Sequence, residues 1–76
     1  MRYNLAVLRH NQGSLEEAER LYRQVLAEKP DLAEASLNLG NVLFAQGRPG
    51  DARQHWQRAL QARPDLAKRF LDATTG

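Results

Sequence analysis

Ala35-Ser36-Leu37-Asn38-Leu39-Gly40-Asn41-Val42-Leu43-Phe44-Ala45-Gln46-Gly47 is the stretch whose reading decides the fold. Moved back by 34 residues it falls on residues 1–13, where Asn4, Leu5, Gln12 and Gly13 repeat Asn38, Leu39, Gln46 and Gly47. The same offset pairs Ala18 with Ala52, Leu26 with Leu60, and Pro30-Asp31-Leu32-Ala33 with Pro64-Asp65-Leu66-Ala67. Ten identities in the first 34 positions stand against about three expected from this composition, so the period is real. Tyr22/Trp56 and Ala6/Gly40 add conservative pairs.

Each unit reads as two helices. The first ends at Gly13 or Gly47, because glycine takes the left-handed conformation that closes a helix without steric cost. The next helix starts at once. Ser14-Leu15-Glu16-Glu17 has the pattern of a capping box, and Pro49 suits the first position of a helix with Asp51 in its first turn. These second helices stop before Pro30 and Pro64. Asp31-Leu32-Ala33-Glu34 reads as another capping box, and Asp65-Leu66-Ala67 opens a fifth helix. Helices are therefore expected near 2–12, 15–28, 32–46, 49–62 and 66–73.

Leu5 with Ala6, and Leu39 with Gly40 and Leu43, share one side of their helices. Ala18, Tyr22, Val25 and Leu26 follow helical spacing, as do Ala52, Trp56, Ala59 and Leu60. Ala6/Gly40 and Ala18/Ala52 are small where antiparallel helices would cross. Trp56 is expected to be mostly buried, with Phe70 packed nearby. No segment alternates with the period of a strand. The fold class is all-α.

The 76 residues make one small domain. Without cysteine, a disulfide scaffold, a thiol nucleophile and Cys-ligated zinc are excluded. No apolar run approaches the ~20 residues of a membrane span and no signal-peptide pattern is present, so a cytoplasmic protein with no membrane partner is expected. The net charge is +2, from nine Arg and two Lys against nine Asp+Glu. That excess is too small to suggest nucleic acid as the partner. Arg20, Arg23, Arg53, Arg58 and Arg63 read as a solvated face of the second helices.

Enzyme signatures are absent. Gly47-Arg48-Pro49-Gly50 is a turn and not a phosphate loop, and His10 and His55 lack any ligand spacing. No catalytic residue, metal or cofactor is expected.

The second unit resembles a tetratricopeptide repeat. Leu39, Gly40, Leu43, Gly47, Ala52, Trp56, Ala59 and Pro64 stand at that family's spacing, with Ser36 where tryptophan is frequent. The first unit matches less fully, with Arg9 in place of a large apolar residue and Val25 in place of alanine. The resemblance implies a short right-handed α-solenoid of antiparallel helix pairs, about five helices in one domain. The repeats would span 1–32 and 33–66, with a terminal helix at 66–73. It also implies a non-enzymatic module that binds a protein or peptide in a concave groove.

Carried over from the family, the groove positions are Tyr3, Asn4, Val7, His10 and Asn11, then Glu34, Leu37, Asn38, Asn41, Phe44 and Ala45, then Lys68, Leu71 and Asp72. Those expected to carry binding are Tyr3, Asn4, Val7, His10, Leu37, Asn38, Asn41 and Phe44. Asn4 and Asn38 would form a ladder for a peptide backbone, or else bond the adjacent helix. The family's clamp for chaperone C-termini would fall on Tyr3, Val7, Asn38, Lys68 and Asp72, of which only Asn38 and Lys68 have the required chemistry. Two alternatives stay beside the binding module. One is a docking or regulatory segment of a larger enzyme such as a glycosyltransferase. The other is a self-assembly element, since both ends leave apolar surface open: either the native protein extends further or copies associate.

Overall fold

The computed structural model describes residues 2–65. They form helices α1 (Arg2–Asn11), α2 (Leu15–Glu28), α3 (Ala33–Ala45) and α4 (Pro49–Ala62), with no strand among the described residues. The expected fifth helix and Phe70 lie outside them, as do Lys68, Leu71 and Asp72.

The two glycines end their helices as the sequence predicts, with φ of +83° at Gly13 and +79° at Gly47. Ser14 N–H donates to Arg9 C=O at 2.9 Å and Gly13 N–H to His10 C=O at 3.0 Å. Arg48 and Gly47 repeat both bonds, to Leu43 at 2.9 Å and Phe44 at 3.0 Å. This is the paired closure of a Schellman motif. Replacing either glycine by alanine forces a Cβ into the left-handed region. We expect each single change to cost about 1–2 kcal/mol, read as a lower thermal midpoint with unchanged helix content at low temperature.

The capping boxes do not form. Ser14 makes no side-chain cap bond and has φ −83°, ψ 72°, away from the usual extended cap geometry. The reason is the shortness of the turn. Ser14 N–H already closes α1, while its C=O accepts Ala18 N–H at 3.0 Å to open α2. Glu17 turns instead to Arg9, 3.3 Å away. Arg48 has the same double duty and pairs with Asp51 at 3.0 Å. Asp31 is not the cap of α3 either: that place belongs to Leu32, which cannot cap through its side chain. Glu34 reaches towards Arg63 at 3.8 Å.

α3 is the centre of the core. Ala33, Ala35, Ser36, Leu39, Gly40, Val42 and Leu43 are buried on it. Its neighbours are α2 before it and α4 after it, and α1 packs on α2. α1 also touches α3, whereas α2 and α4 make no contact. First helices converge and second helices diverge, which curves the body and puts α1 and α3 on its inner side. On the outer side Arg20, Arg23, Arg53, Arg58 and Arg63 are all exposed, as expected.

Two aromatic residues at equivalent positions differ in burial. Tyr22 has no exposed surface and joins Ala6, Ala18, Val25, Leu39, Val42 and Leu43 in one cluster. Trp56 is only half-buried. Leu5, grouped with Ala6 from the sequence, departs further: it is 37% exposed, while its equivalent Leu39 is fully covered. α3 has α2 on that side. No described helix stands there beside α1.

Candidate functional site: the inner face of α1 and α3

Helical spacing brings the eight expected groove residues onto the inner face. Tyr3, Val7, His10, Leu37 and Asn38 are half-buried, and Asn4 and Asn41 are exposed. Phe44 is 59% exposed, the largest apolar side chain left open to solvent among the described residues.

The polar groups fall into two sets. Asn38 Nδ2 donates to the Tyr3 hydroxyl at 2.8 Å, joining α3 to α1. Tyr3 stands edge-on to Tyr22 below it, with ring centroids 6.0 Å apart and planes at 67°. Burial first, and the Glu34 carboxylate second, push the Tyr3 hydroxyl pKa up, while the bond from Asn38 opposes them. Tyr3 therefore stays a neutral acceptor and donor at physiological pH. The second set lies further along α3. Trp56 Nε1–H is shared between Leu37 C=O at 3.2 Å and Asn41 Oδ1 at 3.1 Å. The Trp56 ring lies 5.7 Å from Phe44, tilted by 36°.

The two ladder asparagines are thus not equivalent in use. Asn38 bonds the adjacent helix through Tyr3. Asn4 is exposed and has no such neighbour among the described residues. Trp56 was read from the sequence as core alone, yet it also orients Asn41 and backs Phe44. Its place on a second helix hid this role, since only the hydrogen bond across the hairpin shows that the indole edge reaches the inner face.

The face offers amides, a phenol, an imidazole and apolar rings. No group of His, Asp and Glu able to hold a metal occurs among the described residues. No described helix is long and apolar enough to cross a membrane. Away from this face, charge ties α2 to Arg48 in the turn between α3 and α4. Glu19 accepts from Arg23 at 3.0 Å and meets Arg48 at 3.3 Å. Burial works against the Glu19 charge, but hydrogen bonds from Arg23 and Gln46, with the Arg23 and Arg48 charges, hold its carboxyl below the usual range.

The tetratricopeptide repeat model matches residues 3–67. The chain is 37% identical over 59 residues to "Protein O-mannosyl-transferase TMTC3" of Homo sapiens, which covers 76% of this chain and 6% of that protein. It is 42% identical over 64 residues to "Protein O-mannosyl-transferase Tmtc2" of Drosophila melanogaster, covering 84% of this chain and 6% of that one. Over 52 residues it is 42% identical to "Surface lipoprotein assembly modifier" of Pasteurella multocida (strain Pm70), covering 68% of this chain and 10% of the relative. The chain thus spans a tenth or less of the length of these relatives. Period, paired helix closures, curvature and the match over residues 3–67 agree: the chain belongs to the tetratricopeptide repeat family.

Proposed function

We propose that this chain is a protein-interaction module that binds an extended, apolar peptide segment along the inner face of α1 and α3. The observation that carries the reading is Phe44, 59% exposed on that face and backed by Trp56. An open aromatic ring beside an amide suits a peptide side chain and its backbone together. Tyr3, Val7 and Leu37 extend the apolar strip, and Asn4, His10 and Asn41 supply its polar edge. Two helices contribute, so the affinity is modest.

The test is titration of a library of short extended peptides against the wild type and Phe44→Ala. Loss of binding in the variant, with an unchanged thermal midpoint, supports the reading. Equal binding by both proteins sinks it. The asparagines separate scaffold from site. Asn38→Ala breaks the bond to Tyr3 and is expected to cost about 0.5–1.5 kcal/mol of stability, the worth of one hydrogen bond. Asn4→Ala is expected to weaken peptide binding with no change in the thermal midpoint. Opposite behaviour of the two, by differential scanning fluorimetry and calorimetry, would exchange their roles.

A second reading rests on the relatives. Two of them are named as O-mannosyl-transferases and match this chain over a small part of their length. This supports a docking segment within a larger glycosyltransferase, which presents the same face to an acceptor or a regulatory protein. A catalytic domain in the same reading frame would favour it over a free-standing module.

A further inference from the structure

The indole of Trp56 carries a donor and no acceptor. Its Nε1–H is shared between Asn41 Oδ1 at 3.1 Å and the Leu37 carbonyl oxygen at 3.2 Å. The pairing fixes which end of the Asn41 amide meets the ring. The oxygen takes the indole proton, whereas the nitrogen end would set donor against donor. Asn41 is exposed, so its amide nitrogen, turned away from the indole, faces the solvent side of α3. No acceptor among the described residues takes either of its protons.

The other amide at the centre of this face is not held in the same way. A phenol can donate or accept, so the Tyr3 hydroxyl suits either orientation of the Asn38 amide. In the first unit Val7 and Tyr22 stand where the second has Asn41 and Trp56, and Val7 has no amide to orient. The indole–amide pair therefore belongs to the second unit alone. Phe44 stands three residues on from Asn41, a neighbour on the same helix face, and its ring also rests against Trp56. One indole thus backs an apolar seat and aims two N–H donors beside it.

We infer that Trp56 is a specificity-determining positioning residue: by holding Asn41 with its nitrogen outward, it selects a main-chain carbonyl beside the apolar side chain that seats on Phe44. This rests on the peptide-binding reading of the inner face and adds the ligand atom that Asn41 reads. An amide free to turn would accept an N–H as readily as it donates to a carbonyl. An amide held by its oxygen presents donors. The pair then reads the backbone and side chain of one hydrophobic residue and leaves the rest of an extended peptide open.

The probes are short peptides, acetylated and amidated so that their ends carry no charge, that bind the wild-type chain and are lost on Phe44→Ala. If no such peptide exists, the peptide-binding reading itself fails and this inference with it. With such peptides, calorimetric titration of wild type and Asn41→Asp separates the two. The carboxylate still accepts from the indole but puts an oxygen where the amide has its donors. Asn41→Asp is therefore expected to bind about tenfold or more weakly. Undiminished binding by Asn41→Asp overturns the inference while the role of Phe44 stands, since residue 41 then donates nothing to the ligand. Trp56→Phe keeps a ring behind Phe44 and removes the donor. It is expected to weaken binding about two- to fivefold through lost preorganisation, and to cost nothing further in an Asn41→Ala background, because the indole proton acts through Asn41. An equal loss in both backgrounds marks Trp56 as packing alone and overturns its positioning role. Titrations run below the onset of melting of the least stable variant. Nuclear magnetic resonance of the wild type supplies a check that no folding defect can mimic. Added peptide should move the Asn41 Nδ2 proton resonances downfield, and resonances that stay in place while those of Phe44 shift would refute donation from Asn41.

Discussion

Tyr22→Ala is expected to cost about 3–5 kcal/mol, the range for removing a large buried ring. A domain of this size has little more than that in total, so the variant should be largely unfolded at room temperature by circular dichroism. Tyr22 is fully buried and touches all the elements that meet at the α1–α2–α3 junction. Its ring supports Tyr3 edge-on, so the inner face should lose its shape as well. Tyr22→Phe should behave quite differently. The Tyr22 hydroxyl is buried without a hydrogen-bond partner. Removing an unpaired buried polar group relieves a desolvation cost, so Tyr22→Phe is expected to melt at or above the wild-type temperature. A clear fall would mean that the hydroxyl has a partner worth keeping.

The same hydroxyl makes stability depend on alkaline pH. Its pKa is pushed up to about 12, first by burial and then by Tyr3 beside it; the Asn38 amide pulls weakly the other way without closing a hydrogen bond. In the unfolded chain a tyrosine titrates near ~10. Between these values the folded state holds a proton that the unfolded state releases. Stability is therefore intact below about pH 10 and falls as pH rises towards about 12. Urea midpoints measured across that window should slope downward in wild type. In Tyr22→Phe the slope should be much reduced, with a remainder from Tyr3, whose pKa is raised in the same direction.

Gly40→Ala is the second large effect, and its sign runs against helix propensity. Alanine in the middle of a helix is ordinarily better than glycine by about 1 kcal/mol. Here a Cβ on residue 40 would meet Trp56 Nε1, lie 2.5 Å from Trp56 Cδ1, and lie 3.0 Å from the Ala52 carbonyl oxygen. The carbonyl belongs to α4 backbone and cannot turn aside. The indole cannot move without losing its bonds to Leu37 and Asn41. We expect a net loss of about 1–3 kcal/mol, as for other overpacked sites, with disturbance of Asn41 and Phe44 on the inner face.

The first unit shows the remedy. There the position equivalent to Gly40 is Ala6, and the aromatic residue is the smaller Tyr22. Trp56→Tyr should therefore offset part of the cost of Gly40→Ala. A double-mutant cycle should give a coupling of about 0.5–3 kcal/mol in the favourable direction. Strictly additive effects would show that the glycine and the indole do not limit each other.

These contrasts mark what could be read without coordinates. The 34-residue period, the four described helices to within a residue or so, the helix closures at Gly13 and Gly47 and the small residues at the crossings were all legible. Each depends on near neighbours in the chain: backbone conformation at glycine, a blocked donor at proline, apolar spacing along one face. The resemblance to the family supplied the groove positions; helix spacing accounts only for their sharing one side of α1 and of α3, because a helix puts positions three and four apart on one side. The capping boxes were misread although they too are local. Their pattern presumes a free cap residue, and Ser14 is shared between two helices.

The sequence by itself determined the repeat, its helix pairs and the apolar side of each helix, since these follow from dihedral preference and periodicity. Only the tertiary structure decided how equivalent residues would differ. Asn38 bonds Tyr3 while Asn4 faces solvent, Tyr22 is sealed while Trp56 is half-open, and Leu39 is fully covered while Leu5 is 37% exposed. Within each pair the local sequence is nearly the same. What separates them is whether another described helix stands alongside, and burial is a property of the neighbour as much as of the residue.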